Sequence, residues 1–148
     1  MIEFTVETEI ARPVTEVFAY ATDPTKLASW QTNTVSAVIE DDAPLGLGSR
    51  LREVHRAPGG KQLASLVEVS EYEPDRVFAL RTLEGDLPIH GRVTFEPSDL
   101  GTRVRFAAYG QPTGALRLAQ PLLRVTLRRQ FAGYCATLKR VLELTSPQ

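Results

Sequence analysis

The chain contains 148 residues, of which 43% are hydrophobic and 24% charged, and its formal net charge is −1. This length and composition favour one globular domain over residues 1–148 and exclude a disordered or coiled-coil chain. The apolar runs are shorter than a membrane span, and the acidic start of the chain is unlike a signal peptide. We therefore expect a cytoplasmic protein without stable membrane insertion. A single cysteine, Cys135, excludes an internal disulfide.

The first part of the chain predicts one strand followed by two short helices. Residues 2–10 alternate apolar and polar side chains, which is typical of a strand with one buried face. Pro13 then stands where a helix tolerates its missing N–H, ahead of apolar residues at helical spacing. Leu27 and Trp30 lie three residues apart after Pro24, so a second helical turn places both on one surface.

Residues 35–106 show a strand pattern throughout. Turn sequences divide it at 44–48, 58–60, 74–75, 84–86 and 97–101. Six strands at this spacing predict an antiparallel meander, with the first strand added at an edge or closing the sheet.

The last segment changes to helical periodicity. Its apolar residues step by three or four, at Leu116, Ala119, Leu123, Leu127, Phe131, Tyr134, Leu138 and Val141. Pro121 should break or kink this pattern, leaving a main helix of about 24 residues from there to Leu144. Because one helix cannot fill the concave side of a strongly curved sheet, we expect an internal cavity lined by apolar side chains.

Charge is distributed unevenly along the chain. Six basic residues lie after 114 against a single acid, Glu143. We interpret the arginines of the last helix as a solvated face and expect no nucleic-acid binding, because the net charge is near zero and no aromatic residues are placed for base stacking. Collection of a lipid from a membrane stays open.

Short sequence pieces accompany this order of elements over nearly the whole chain. They are Pro13 with Val17-Phe18-Ala19-Tyr20, Asp23-Pro24 with Leu27 and Trp30, Gly48-Ser49-Arg50-Leu51, Glu71-Tyr72-Glu73-Pro74, Phe95-Glu96-Pro97, Gly101-Thr102-Arg103-Val104, and Leu138-Lys139-Arg140 before Glu143. In this order they resemble the SRPBCC or START-like superfamily, which includes polyketide cyclases, lipid-transfer domains and birch-pollen-allergen-like proteins. The resemblance implies an α+β helix-grip fold, in which a seven-stranded curved antiparallel sheet wraps around the long C-terminal helix. It implies binding of a hydrophobic ligand more firmly than any reaction.

Two titratable residues on the third strand are the main candidates for chemistry. Glu53 and His55 share a parity with Leu51, whereas Arg50, Arg52 and Arg56 occupy the other. If Leu51 faces inward, the pair could serve as general base and acid; alternatively it anchors the polar end of a ligand, or lies exposed near the end of the strand. Tyr134 is the third candidate, as a hydrogen-bond donor. His90 alternates with Arg92 and Thr94 and should point outward.

We expect the ligand-binding residues to be the large inward-facing side chains of the sheet and of the last helix. They are Trp30, Leu51, Glu53, His55, Val67, Val69, Phe95, Val104, Phe106, Leu123, Leu127, Phe131 and Tyr134. For each aromatic residue, ordinary core packing is the alternative. The two histidines lack the spacing of a metal site, so we predict no metal and no cofactor.

The predicted function is binding of a small hydrophobic molecule, such as a lipid, polyketide or aromatic metabolite, for carriage, sequestration or sensing. The first alternative is a metal-free polyketide cyclase or dehydratase that uses Glu53, His55 and Tyr134 in the same cavity. The second is a regulatory or chaperone-cofactor protein, which a solid interior would favour. The oligomeric state is left open.

Overall fold

The computed structural model describes residues 1–40, 43–56, 60–85, 88–112 and 117–144. One strand, two short helices, six strands and a long helix follow each other in the predicted order. Their bounds are β1 Ile2–Ile10, α1 Val14–Ala21, a 3₁₀ turn Pro24–Lys26, α2 Leu27–Trp30, β2 Thr34–Ile39, β3 Arg50–Arg56, β4 Gln62–Glu73, β5 Val77–Glu84, β6 Ile89–Pro97, β7 Thr102–Gly110 and α3 Gln120–Leu144. The predicted turns at 58–60 and 84–86, and Leu116, lie partly or wholly outside the described residues.

The strands form one antiparallel sheet in the order β1-β7-β6-β5-β4-β3-β2. The meander from β2 to β7 is confirmed, and β1 joins β7 at an edge. Register shifts between Leu66 and Val67 and between Val69 and Glu71 interrupt the pairing of β4 with β5. Such bulges bend a strand and increase its twist, which contributes to a curved sheet.

The two faces of the sheet differ sharply in polarity. On β1, Ile2, Phe4 and Val6 are buried, and the residues between them are exposed. The opposite face carries ion pairs between neighbouring strands, such as Arg105 with Glu7 at 2.6 Å. Exposed pairs of this kind contribute about 1 kcal/mol or less, but a polar outer face fixes the register, because a slip by one residue would expose the core.

Helix α3 lies along the edge strand β1. Pro121 is its second residue, where the missing N–H costs nothing, so the helix begins there as predicted and runs to Leu144. The Arg124 side chain donates to the backbone oxygen of Glu3 at 3.0 Å, and Lys139 donates to that of Glu9 at 2.7 Å. These contacts satisfy carbonyls at the free edge of the sheet, which would otherwise invite another strand.

The two halves of α3 are buried to different degrees. The second half contributes Tyr134, Cys135, Leu138 and Leu142 to the core. In the first half the inward residues Leu123 and Leu127, and Phe131 at its end, are only partly buried. The helix therefore closes tightly over one end of the concave face and more loosely over the other.

Candidate functional site

Glu53 points into the interior from the middle of β3. Leu51 and Glu53 are 3% and 5% exposed, whereas Arg50, Arg52 and Arg56 are exposed. The alternation predicted for this strand is therefore confirmed. Its consequence is a carboxylate on an otherwise apolar face of the sheet.

Within the described part of the chain, one oxygen of the Glu53 carboxylate has a partner and the other has none. Its Oε1 lies 3.2 Å from Nε2 of His55, whose side chain is 33% exposed. Among the residues that the structure describes, none donates a hydrogen bond to Oε2, which is buried. A buried polar atom without a partner costs about 1–3 kcal/mol, so its presence calls for an explanation beyond stability. The pair reaches from the interior, at Glu53, to the surface, at His55.

Tyr134 lies on α3 within electrostatic reach of Glu53. Burial of the phenol, and then the negative charge of Glu53, raise the pKa of Tyr134 above its ordinary value. The phenol is therefore protonated at neutral pH and can donate a hydrogen bond. The ring of Trp30 lies 6.3 Å from that of Tyr134, and within the described part of the chain its buried Nε1 has no acceptor. The interior thus combines one acceptor with two donors.

Aromatic rings continue from this group toward β1 and β7. Phe131 lies 5.4 Å from Tyr134, 6.0 Å from Phe106 and 5.2 Å from Phe4, measured between ring centroids. Sequence reasoning did not select Phe4. The alternation of Ile2, Phe4 and Val6 was the signal that places it on the same face.

The other predicted ligand-binding residues divide into two groups. Leu51, Val67, Val69 and Val104 are buried in the same core. Phe95 is buried as well, but its ring lies 5.1 Å from that of Phe18 on α1, away from the aromatic rings around Tyr134. Their burial is equally expected of ordinary core residues, so their contact with a ligand stays a prediction.

Open space lies over the concave face at Gly91. This residue pairs with Leu80 and with the buried Ala108, so it faces inward, and a Cβ built on it would meet no heavy atom within 4 Å. Ala108, Ile89 and Leu127 line a neighbouring pocket of about 10 Å³, which is enough for about one water molecule. A larger molecule would need the partly buried side chains of the first half of α3 to move. The predicted internal cavity stays a prediction at ligand size.

His90 lies on the outer face, as predicted. Its Nε2 is 3.2 Å from the hydroxyl of Ser70, and its ring lies 4.7 Å from that of Tyr109. Burial lowers the pKa of His90. It takes no part in the interior group around Glu53.

Residues 1–143 match the family model described as "Polyketide cyclase / dehydrase and lipid transport". The chain belongs to this family. The resemblance to the SRPBCC superfamily that the sequence indicated is thereby confirmed, together with the helix-grip arrangement of sheet and helix. No match was found among curated proteins.

Solved structures share the fold of this family member over nearly its whole length. The protein TTHA0849 of Thermus thermophilus is 26% identical, with a TM-score of 0.81, and the match covers 97% of this chain and 99% of that one. The protein CV1439 of Chromobacterium violaceum is 17% identical, with a TM-score of 0.73, covering 98% and 100%. The di-domain ARO/CYC protein StfQ of the steffimycin biosynthetic pathway is 17% identical, with a TM-score of 0.78, covering 96% of this chain and 51% of that one.

Proposed function

We propose that this protein binds a small, largely apolar molecule between the concave face of the sheet and α3, and carries, sequesters or senses it. The observation that carries the proposal is the buried, half-paired carboxylate of Glu53 in an aromatic interior. A ligand hydroxyl or other donor would supply the partner that Oε2 lacks among the described residues. Tyr134 and Trp30 would donate to an acceptor on the same molecule.

The space over Gly91 supports an apolar body for this ligand. Leu80, which pairs with Gly91, is only partly buried, and so are Ile89 and Leu127 in the neighbouring pocket. They expose apolar surface that a ligand would cover. Burying such surface contributes about 25 cal/mol for each Å². A mainly apolar molecule with one polar end therefore fits this interior better than a polar one.

Filling the space over Gly91 tests the proposal. In Gly91→Leu the new side chain occupies the space without touching Glu53, and a strand glycine at an ordinary backbone angle accepts a side chain without strain. We expect binding of the fluorescent probe 1-anilinonaphthalene-8-sulfonate, and its displacement by fatty acids and by polyphenols, to weaken at least about tenfold. Gly46→Leu, in a surface loop with equal space, is the matched control and should bind as wild type. Equal binding by both variants would contradict the proposal.

A second candidate function is a cyclase or dehydratase that uses the same interior. The 3.2 Å contact between Glu53 and His55 favours it, because a carboxylate beside an imidazole is a usable base and acid pair. Glu53 would take a proton from a carbon between two ketones, and the resulting enolate would attack a further carbonyl of the chain to form a carbon–carbon bond. Protonated Tyr134 would hydrogen-bond to the developing oxyanion, and the proton held by Glu53 would pass to that oxygen to give the alcohol. Orientation of a flexible chain alone can accelerate such a ring closure strongly.

The two functions are separated by the variant that combines Glu53→Gln with His55→Ala. If affinity for a poly-ketone substrate is unchanged and turnover is lost, the enzyme is supported. If affinity falls and wild type shows no turnover, the carrier is supported.

A further inference from the structure

The first half of α3 and the turn before it expose an apolar surface. Leu118, Leu122 and Val125 are 90%, 70% and 52% exposed. Leu122 and Val125 lie three residues apart, so they share one side of the helix, and Leu118 lies in the turn just before it. We call these three residues the docking face. Three large aliphatic side chains are thus presented to solvent together.

Arginines accompany the docking face in the sequence, with no acidic residue among them. Arg117, Arg124, Arg128 and Arg129 are exposed within the same stretch, and no Asp or Glu occurs between Asp99 and Glu143. The Arg124 side chain hydrogen-bonds to the backbone oxygen of Glu3, an exposed acidic residue of β1, and forms no ion pair with a carboxylate among the described residues. Residues 117–130 therefore present four exposed arginines, and no acidic residue of their own, beside the aliphatic side chains.

We propose that the docking face places this protein on the surface of an anionic membrane. Aliphatic tips among arginines are typical of helices that lie at the lipid interface. A protein interface would favour tyrosine, tryptophan or phenylalanine, and residues 117–130 contain none. Among the described residues, no helix is long and apolar enough to cross a membrane, so the contact is peripheral.

The docking face lies on the outer side of α3. Leu127, which lines the pocket beside Ala108, is two residues after Val125 and therefore on the opposite, inward side of the helix. A membrane contact would thus place the first half of α3 between the lipid and the concave face. The docking itself goes beyond the proposed ligand binding and does not depend on it.

Vesicle flotation tests the proposal with the full chain and no added ligand. Wild type should float with phosphatidylcholine vesicles that contain about 30% phosphatidylglycerol at about 50 mM NaCl, but not with pure phosphatidylcholine, and about 500 mM NaCl should release it. Leu122→Glu should abolish flotation. Val38→Glu, at a residue that is 62% exposed on the opposite edge strand β2, makes the same charge change and should float as wild type.

The arginines give a second, graded test. Each basic side chain near an anionic surface contributes about 1 kcal/mol, so each one removed should weaken binding about fivefold. Arg128→Gln with Arg129→Gln should therefore weaken it about 25-fold. Arg52→Gln with Arg56→Gln, on β3, removes two exposed charges elsewhere and should change binding far less.

Three results would overturn the proposal. One is failure of wild type to float with anionic vesicles. Another is an equal loss in Leu122→Glu and Val38→Glu. The third is that wild type forms a dimer in analytical ultracentrifugation and does not bind vesicles, and that Leu122→Glu converts this dimer to a monomer. This result would assign the docking face to contact with a second copy of the chain. Each leaves the ligand site around Glu53 untouched, because flotation does not report on it.

Discussion

Replacing Glu53 by methionine should make the protein more stable and impair ligand binding. Methionine is close to glutamate in length and shape, and it would lie beside Leu51 on the same face of β3 and opposite Ala37 of β2. The substitution removes a buried carboxylate oxygen that has no hydrogen-bond donor among the described residues, an arrangement that costs about 1–3 kcal/mol. It also removes the contact with His55, which is 33% exposed and therefore contributes about 1 kcal/mol or less.

The net expectation for Glu53→Met is a gain of about 1–2 kcal/mol in the free energy of unfolding. For a chain of 148 residues this raises Tm by about 3–6 °C. Urea denaturation at pH 7 measures the gain, and Glu84→Met, at an exposed position at the end of β5, is the control expected to stay within about 0.5 kcal/mol of wild type. An ultraviolet titration should show a lower pKa for Tyr134, since the charge of Glu53 contributes to raising it. A loss of more than about 1 kcal/mol would refute the reasoning, because Glu53 would then serve the fold.

Two further predictions concern stability alone. Gly101→Ala should lower the free energy of unfolding by about 2–4 kcal/mol, because φ is +156° at Gly101 and a Cβ there would lie 2.5 Å from the backbone oxygen of Ile10. Gly46→Ala is the control and should change it by less than about 0.5 kcal/mol in the same thermal or urea unfolding. Equal effects of the two substitutions would contradict this prediction. A hydrogen bond from Lys139 lowers the pKa of Glu143 in the folded protein. The ionised carboxylate therefore stabilises the fold fully at pH values above the pKa that Glu143 has in the unfolded chain. This contribution is lost as the pH falls through the pKa of Glu143 in the folded protein. Glu143→Gln should therefore lower stability at pH 7 by about 1 kcal/mol and match wild type near pH 2, and a difference that persists at pH 2 would contradict the assignment.

Much of the fold could be predicted because local signals agree with it. The alternation along β1, the proline before α1 and Pro121 at the start of α3 each satisfy a local backbone requirement that the final structure keeps. The position of β1 at an edge could not be decided from alternation, since a closed sheet would bury the same residues. The inward direction of Glu53 followed from Leu51 because pleating fixes which residues share a face.

The less predictable features depend on how α3 lies over the sheet. Apolar residues occur on all sides of the first half of this helix, at Leu122, Leu123, Val125 and Leu127, and Leu118 stands in the turn before it. Periodicity alone therefore does not show which of them are exposed. Gly91 was predictable as inward-facing. The open space over it arises only from the looser packing of that half of the helix.

The interior site is tested most directly by the small molecules that co-purify with the protein. Wild type and Gly91→Leu should be purified natively in parallel and denatured, and the released compounds identified by mass spectrometry. We predict that wild type releases an apolar compound with one polar end at close to one molecule per chain, and that Gly91→Leu releases far less. Equal amounts from both, or no compound from wild type together with no thermal shift across lipids and polyphenols, would contradict ligand binding between α3 and the sheet.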